Sequence, residues 1–223
     1  MSLIGDVLPL AIGVAVSPVP IIAIILMLLS KRAKRNSLSF LFGWIVGLAI
    51  VGSVVLFAAQ TQDLSTGTGP SVAASVMRFA LGVLLLFLAY RQWTKRPRPG
   101  HEPPMPKWLH SIDSVTPMRA LGLALLLSAV NPKNLTLTLA AALAIAQSTL
   151  GSVQSVIALA LFVVIASVSV AAPVILYFIL GPKAAHTLDE LRVWLTQNNA
   201  TVVFILLLVF GAILIAEGIN GIT

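Results

Sequence analysis

Six apolar runs, at residues 7–29, 38–59, 73–92, 119–146, 153–180 and 201–219, decide what this chain can fold into. Each is near or above the roughly 20 residues a helix needs to cross a hydrocarbon core. Barrel strands alternate over about 10 residues, whereas these runs are apolar throughout, so they predict helices. The 58% hydrophobic and 9% charged composition agrees, because a soluble domain of this size needs far more surface charge. The fold class expected is therefore an all-α membrane protein with six transmembrane helices. The first run is not expected to be a cleavable signal peptide. It opens Ser2-Leu3-Ile4-Gly5-Asp6 without a basic segment, and no small-residue cleavage site closes it before Lys31.

Twelve of the 14 basic residues fall in alternate links. Lys31, Arg32, Lys34 and Arg35 follow the first run. Arg91, Lys95, Arg96, Arg98, Lys107 and Arg119 lie around the third link, and Lys183 and Arg192 precede the last run. The other links, QTQDLSTGTGPS and AQSTLGSV, carry none. By the positive-inside rule the basic side is cytoplasmic and both ends lie outside. The charges are thus explained by topology, and with no basic stripe interleaved with aromatics no nucleic-acid partner is expected. Two cytoplasmic stretches, PKWLHSIDSV and HTLDELRVWL, read as short amphipathic helices on the inner leaflet. In the second, Thr187 and Glu190 form a possible capping box. The segment TKRPRPGHEPPMP reads as an extended spacer.

The two remaining cations lie inside runs. Arg78 is about six residues in from the outside, with Asp6 and Glu217 predicted at the same outer end. Either acid makes an ion pair that fixes packing or gates an outer vestibule. Lys133 lies 14 residues beyond Arg119, roughly 21 Å from the inner side at 1.5 Å per residue. A cation at that depth costs at least about 3 kcal/mol unless it faces a partner or a wet cavity. No acidic residue is predicted at its level, so the expected partner is the anionic part of a substrate, with Asn131 and Ser17 assisting.

Runs one and four carry matched interruptions: AVSPVPII, with Ser17, Pro18 and Pro20, and AVNPKNLT, with Asn131, Pro132, Lys133 and Asn134. Proline removes a backbone donor and frees a carbonyl. In lipid such a carbonyl needs protein or water. Three runs separate the two interruptions, so the helices bearing them are antiparallel, which is the pattern of two inverted three-helix halves. Paired broken helices at equivalent positions point to a transporter's binding site. The expected organisation is one transporter domain: repeat one at 1–92, a cytoplasmic linker at 93–118 and repeat two at 119–223.

On these residues the chain resembles the lysine-exporter superfamily, and along its whole length it is most similar to the actinobacterial peptidoglycolipid- and sulfolipid-addressing proteins. The resemblance implies a small, multi-pass, dimeric transporter of the bacterial cytoplasmic membrane. Its substrate, moved outward, would be an envelope lipid or glycolipid, or a precursor. The carry-over rests on Ser17, Pro18 and Pro20 and on Asn131, Pro132 and Lys133.

Other features narrow the choice. Gly43 and Gly47 form a GxxxG that allows close helix approach, with packing inside the chain favoured over dimerisation. Ser167, Ser169 and Pro173 lie in the long fifth run and suggest tilt or a kink. The Asn134-Leu135-Thr136 sequon is at membrane depth and carries no glycosylation reading. His101, His110 and His186 fall in cytoplasmic links, and no carboxylate is predicted near the membrane centre. No enzyme, metal or cofactor is therefore expected. With no cysteine there is no thiolate chemistry, and with no GxxxxGK[ST] there is no Walker-type ATP hydrolysis. Three classes remain: an exporter of an anionic lipid, an exporter of a small solute such as an amino acid, and a non-transporting accessory that docks lipid-biosynthesis enzymes. The scarcity of polar groups away from the breaks favours the first.

Overall fold

The computed structural model describes residues 3–61, 72–94, 115–148 and 150–221. Among them the chain forms eight α-helices, one short 3-10 turn and no strand: α1 (Leu3–Ala15), α2 (Pro18–Leu28), α3 (Ala33–Thr61), α4 (Val72–Thr94), α5 (Pro117–Ala129), α6 (Pro132–Ala146), α7 (Ser152–Leu180) and α8 (Ala185–Asn220). Helices α3, α4, α7 and α8 are each long and apolar enough to cross a membrane. The pairs α1–α2 and α5–α6 also pass when each is taken as one span, bent by 49° and 61° at a two-residue break. The chain is thus a multi-pass helical membrane protein with four to six candidate spans.

The prolines set both breaks. Pro18 and Pro132 each occupy the first helical position, where a missing N–H is harmless and the fixed φ favours a helix start. Ser17 and Asn131 precede them in extended conformation. The half-helices that follow are the innermost elements. Nearly every residue of α2 and α6 is buried, and α6 presents the small residues Ala140, Ala141, Ala142 and Ala144 to its neighbours. Long helices wrap this centre and turn Phe42, Phe57, Val164 and Ile179 outward. Such a surface belongs in lipid.

Glycines bring the long helices together. A Cβ on Gly43 would lie 2.6 Å from the Leu121 carbonyl of α5, so the GxxxG serves packing inside the chain. A seam that the sequence reading missed joins α4 to α8. There a Cβ on Gly82 would stand 2.9 Å from Gly211 O, and one on Gly218 would stand 2.7 Å from Phe79 N.

Two expectations need correction. HTLDELRVWL is not a separate interfacial helix, because α8 runs unbroken from Ala185 to Asn220. Gly181, at φ 57°, closes α7, and the 3-10 turn Gly181–Ala184 leads directly into Ala185. No glycine or proline then interrupts the stretch before Val202. At 36 residues α8 is roughly 54 Å long, so its first turns extend past a hydrocarbon core of about 30 Å. The capping box is not formed either: Thr187 lies inside the helix, the cap position is Ala184, and Glu190 instead faces His186 at 3.5 Å. In the fifth run, α7 stays continuous through Pro173. The spacer and all of the PKWLHSIDSV stretch except Val115 lie outside the described residues.

Candidate functional site

The double proline determines what the first break requires. Pro18 and Pro20 have no N–H to offer the carbonyls of Val14 and Val16, four residues earlier. Ser17 N turns back to Ala15 O at 2.8 Å, which leaves Gly13 O without its helical donor as well. A run of carbonyls therefore faces the protein interior, and each one is met. Ser17 Oγ lies 2.6 Å from Val14 O. Ser169 Oγ, from α7, donates to Ala15 O. Lys133 Nζ, from the first turn of α6, donates to Gly13 O at 2.7 Å and to Val16 O at 3.0 Å.

The second break is completed by its own tetrapeptide. Asn131 Oδ1 accepts from Lys133 N at 3.1 Å and caps α6. Asn134 Nδ2 donates to Leu127 O of α5 at 3.0 Å, while Asn134 Oδ1 lies 2.9 Å from Ser17 Oγ. Lys133 and Asn134 thus tie the second break to the first. Ser17, Lys133 and Asn134 are all buried.

Among the described residues no carboxylate lies within 4 Å of Lys133. Its counter-charge is the backbone. The C-terminal end of α1 carries roughly half a negative charge on its free carbonyls, and charge-assisted hydrogen bonds to them accommodate the ammonium. Two of the three ammonium protons are held by Gly13 O of α1 and by Val16 O of the break that follows it.

Beside this junction lies a cavity of about 300 Å³, bounded by the start of α2, the end of α4, the second break and α8. Its polar lining is Arg91, Gln92, Asn131, Lys133 and Asn199, against apolar Leu88 and Val203. Arg91 is exposed, and the buried Asn199 Oδ1 has no hydrogen-bond partner. Of the residues singled out in the sequence, Asn131, Pro132 and Lys133 line this space. Ser17, Pro18, Pro20 and Asn134 form the packed junction behind it. Arg91, Gln92 and Asn199 were missed. Arg91 was absorbed into the topological charge count, and the only signal for Asn199 was an amide pair at the head of the last run.

At the opposite end Asp6, Arg78 and Glu217 are half-buried in one neighbourhood. The charges of Arg78 and Asp6 both act on Glu217, yet none of the three forms an ion pair within 4 Å among the described residues. A wider groove of about 700 Å³ runs between Leu29 and the first turns of α8. Its acids are engaged locally, Asp189 with Arg192 at 2.7 Å and Glu190 with His186. No cluster of three metal-ligating side chains occurs among the described residues.

Fold and junction together define a multi-pass helical membrane protein whose two proline-broken helices are cross-tied by a buried lysine, beside a cationic cavity. Residues 7–220 match the family model of Sap, the sulfolipid-1-addressing protein, and the chain belongs to that family. Comparison with curated proteins and with solved structures finds no match.

Proposed function

We propose that the protein is an exporter of an anionic envelope lipid or glycolipid, or of its precursor, acting as a carrier rather than an enzyme in the bacterial cytoplasmic membrane. The observation that carries this reading is the cavity at the second break. It sets Arg91, Asn131 and Asn199 around one space with Lys133 at its back, and Leu88 and Val203 continue the wall as hydrocarbon. A phosphate or sulfate head group suits the polar side, since a guanidinium offers paired donors to such oxygens. Acyl chains suit the apolar helix faces that open to lipid. Family membership supports a lipid cargo.

The same reading takes the chain as six spans with both ends outside, in two inverted halves of the lysine-exporter type. The packing pairs support it, for exchanging the halves turns one set of neighbours into another. The pair α3–α5 becomes α7–α1, α3–α6 becomes α7–α2, and α2–α8 becomes α6–α4, while α3–α7 and α4–α8 map onto themselves. The α1–α6 pair is the most extensive one without a close counterpart among the described residues, and the Lys133 tie lies in it. A homodimer and association with lipid-biosynthesis enzymes belong to the proposal on the strength of the resemblance.

The test is a strain lacking the protein, complemented with wild type or with Arg91→Ala at equal abundance. Surface-exposed and intracellular glycolipids are then quantified separately. Export predicts loss of the surface fraction and intracellular accumulation, restored by wild type and reduced in Arg91→Ala. A normal surface fraction with defective amino-acid efflux would select the small-solute reading. A fall in total glycolipid without redistribution would select the accessory.

A further inference from the structure

The junction behind the cavity has the composition of a cation site. Free carbonyls at the C-terminal end of a broken half-helix coordinate the coupling ion in many secondary transporters. Here Gly13 O, from the last turn of α1, and Val16 O, from the break after it, converge on one point, and Ser17 Oγ and Asn134 Oδ1 border the same break. Lys133 Nζ occupies that point, with short bonds to both carbonyls.

We infer that this is a monovalent-cation site filled by the chain's own ammonium, so that Lys133 is a tethered counter-ion and the protein needs no sodium or potassium to hold its two breaks together. Three observations converge. Of the two oxygens, Val16 O is the one Pro20 strips of a donor, and Gly13 O is the one the backbone turn at Ser17 leaves free. The cation reaches them from the other broken pair, so it acts as a bridge between two elements rather than as a local cap. No carboxylate within 4 Å among the described residues competes for it. Lys133 also lines the cavity, so removing its side chain opens the vacated oxygens to solutes of ethylammonium size. The site does not depend on what the protein carries, and an export failure leaves it standing.

The test uses the purified full-length chain in detergent, with thermal unfolding read at equal ionic strength in sodium, potassium, ethylammonium and N-methyl-D-glucamine chlorides. The wild-type midpoint should be the same in all four. Lys133→Ala should unfold earlier in N-methyl-D-glucamine. Ethylammonium should raise its midpoint by about 3 °C or more, and sodium or potassium should raise it by less. Because the chain has no cysteine, Lys133→Cys offers a second route. Aminoethyl methanethiosulfonate, which places an ammonium at the site through a mixed disulfide and releases methanesulfinate, should restore the midpoint, and the uncharged ethyl reagent should not. If Lys133→Ala does not accumulate, Lys133→Gln, which keeps two N–H donors for the same carbonyls, should accumulate and ignore the choice of cation. A sodium or potassium requirement in wild type overturns the inference. So does a Lys133→Ala variant indifferent to every cation, equal rescue by the ethyl reagent, or a Gln variant that also fails to accumulate.

Discussion

Asn134 gives the most direct measure of how strongly the two breaks are joined. It is fully buried and carries two bonds in opposite directions, Nδ2 to Leu127 O at 3.0 Å and Oδ1 from Ser17 Oγ at 2.9 Å. Asn134→Ala removes both. The one Ser17 hydroxyl proton, shared between Asn134 Oδ1 and Val14 O in the wild type, then passes wholly to Val14 O, so the hydroxyl is not stranded. Leu127 O, however, loses its side-chain donor at a partly buried position, which costs about 1 kcal/mol, the low end for an unsatisfied group. Ser17→Ala removes the bridge from the other side and takes from Val14 O, already deprived by Pro18, its share of the single hydroxyl proton, at no more than a similar cost. The bridge itself is the coupling between the two. Interhelical side-chain hydrogen bonds in membrane proteins average about 0.6 kcal/mol and reach about 1.7. The double variant should therefore be less destabilised than the sum of the singles by an amount in that range. The assay is a four-member cycle by reversible unfolding in mixed detergent micelles, each member at one protein concentration. Strict additivity would refute the bridge. An Asn134→Ala variant as stable as wild type would refute the claim that Leu127 O depends on it.

Gly43→Val should cost more than about 2 kcal/mol, since its Cβ would stand 2.6 Å from the Leu121 carbonyl; the loss should show as reduced abundance with no change in cross-linked dimer. Gly218→Val should destabilise comparably, because the obstruction at Phe79 is backbone; thermal midpoint checks it. Arg78→Ala should cost only about 1 kcal/mol, because its acidic neighbours lie beyond 4 Å and all three groups are half-exposed; a loss above 3 kcal/mol by the same assay would mean a closed ion pair. Leu150→Cys should react with a membrane-impermeant thiol reagent only from outside, and Lys183→Cys only from inside; the reverse would invert the topology.

Most of the helical content was legible because lipid demands it. A run of 20 apolar residues has few other solutions, and Pro18 and Pro132 mark helix starts as well as breaks. The extent of α8 was not legible in the same way. The segment 187–196 has the polarity of an interfacial helix, and only the absence of Gly or Pro between it and Val202 showed that it would continue. The cavity was hidden for a different reason. Arg91 and Asn199 meet through the antiparallel pairing of α4 with α8, and that register is set by Gly82, Gly211 and Gly218, whose significance appears only once their neighbours are known. The partner of Lys133 was in principle derivable. Pro20 deprives the carbonyl at position 16, for which a cation in the matched break is a ready donor, whereas the carbonyl at position 13 is freed only by the turn at Ser17.

The tetrapeptide Asn131-Pro132-Lys133-Asn134 shows how so polar an insertion is retained at membrane depth. Each residue removes a cost created nearby. Asn131 caps the Lys133 amide of the restarted helix. Pro132 occupies the one helical position where a missing N–H leaves no new gap in α6. Lys133 satisfies carbonyls freed by the other break, and Asn134 satisfies a carbonyl at the end of α5 while holding Ser17. Remove the first break and the lysine becomes an unpaired buried charge; remove the lysine and the first break becomes a set of unpaired carbonyls. The two interruptions are therefore stable only together. A motion that opens the cavity must keep that junction intact or exchange its bonds for water.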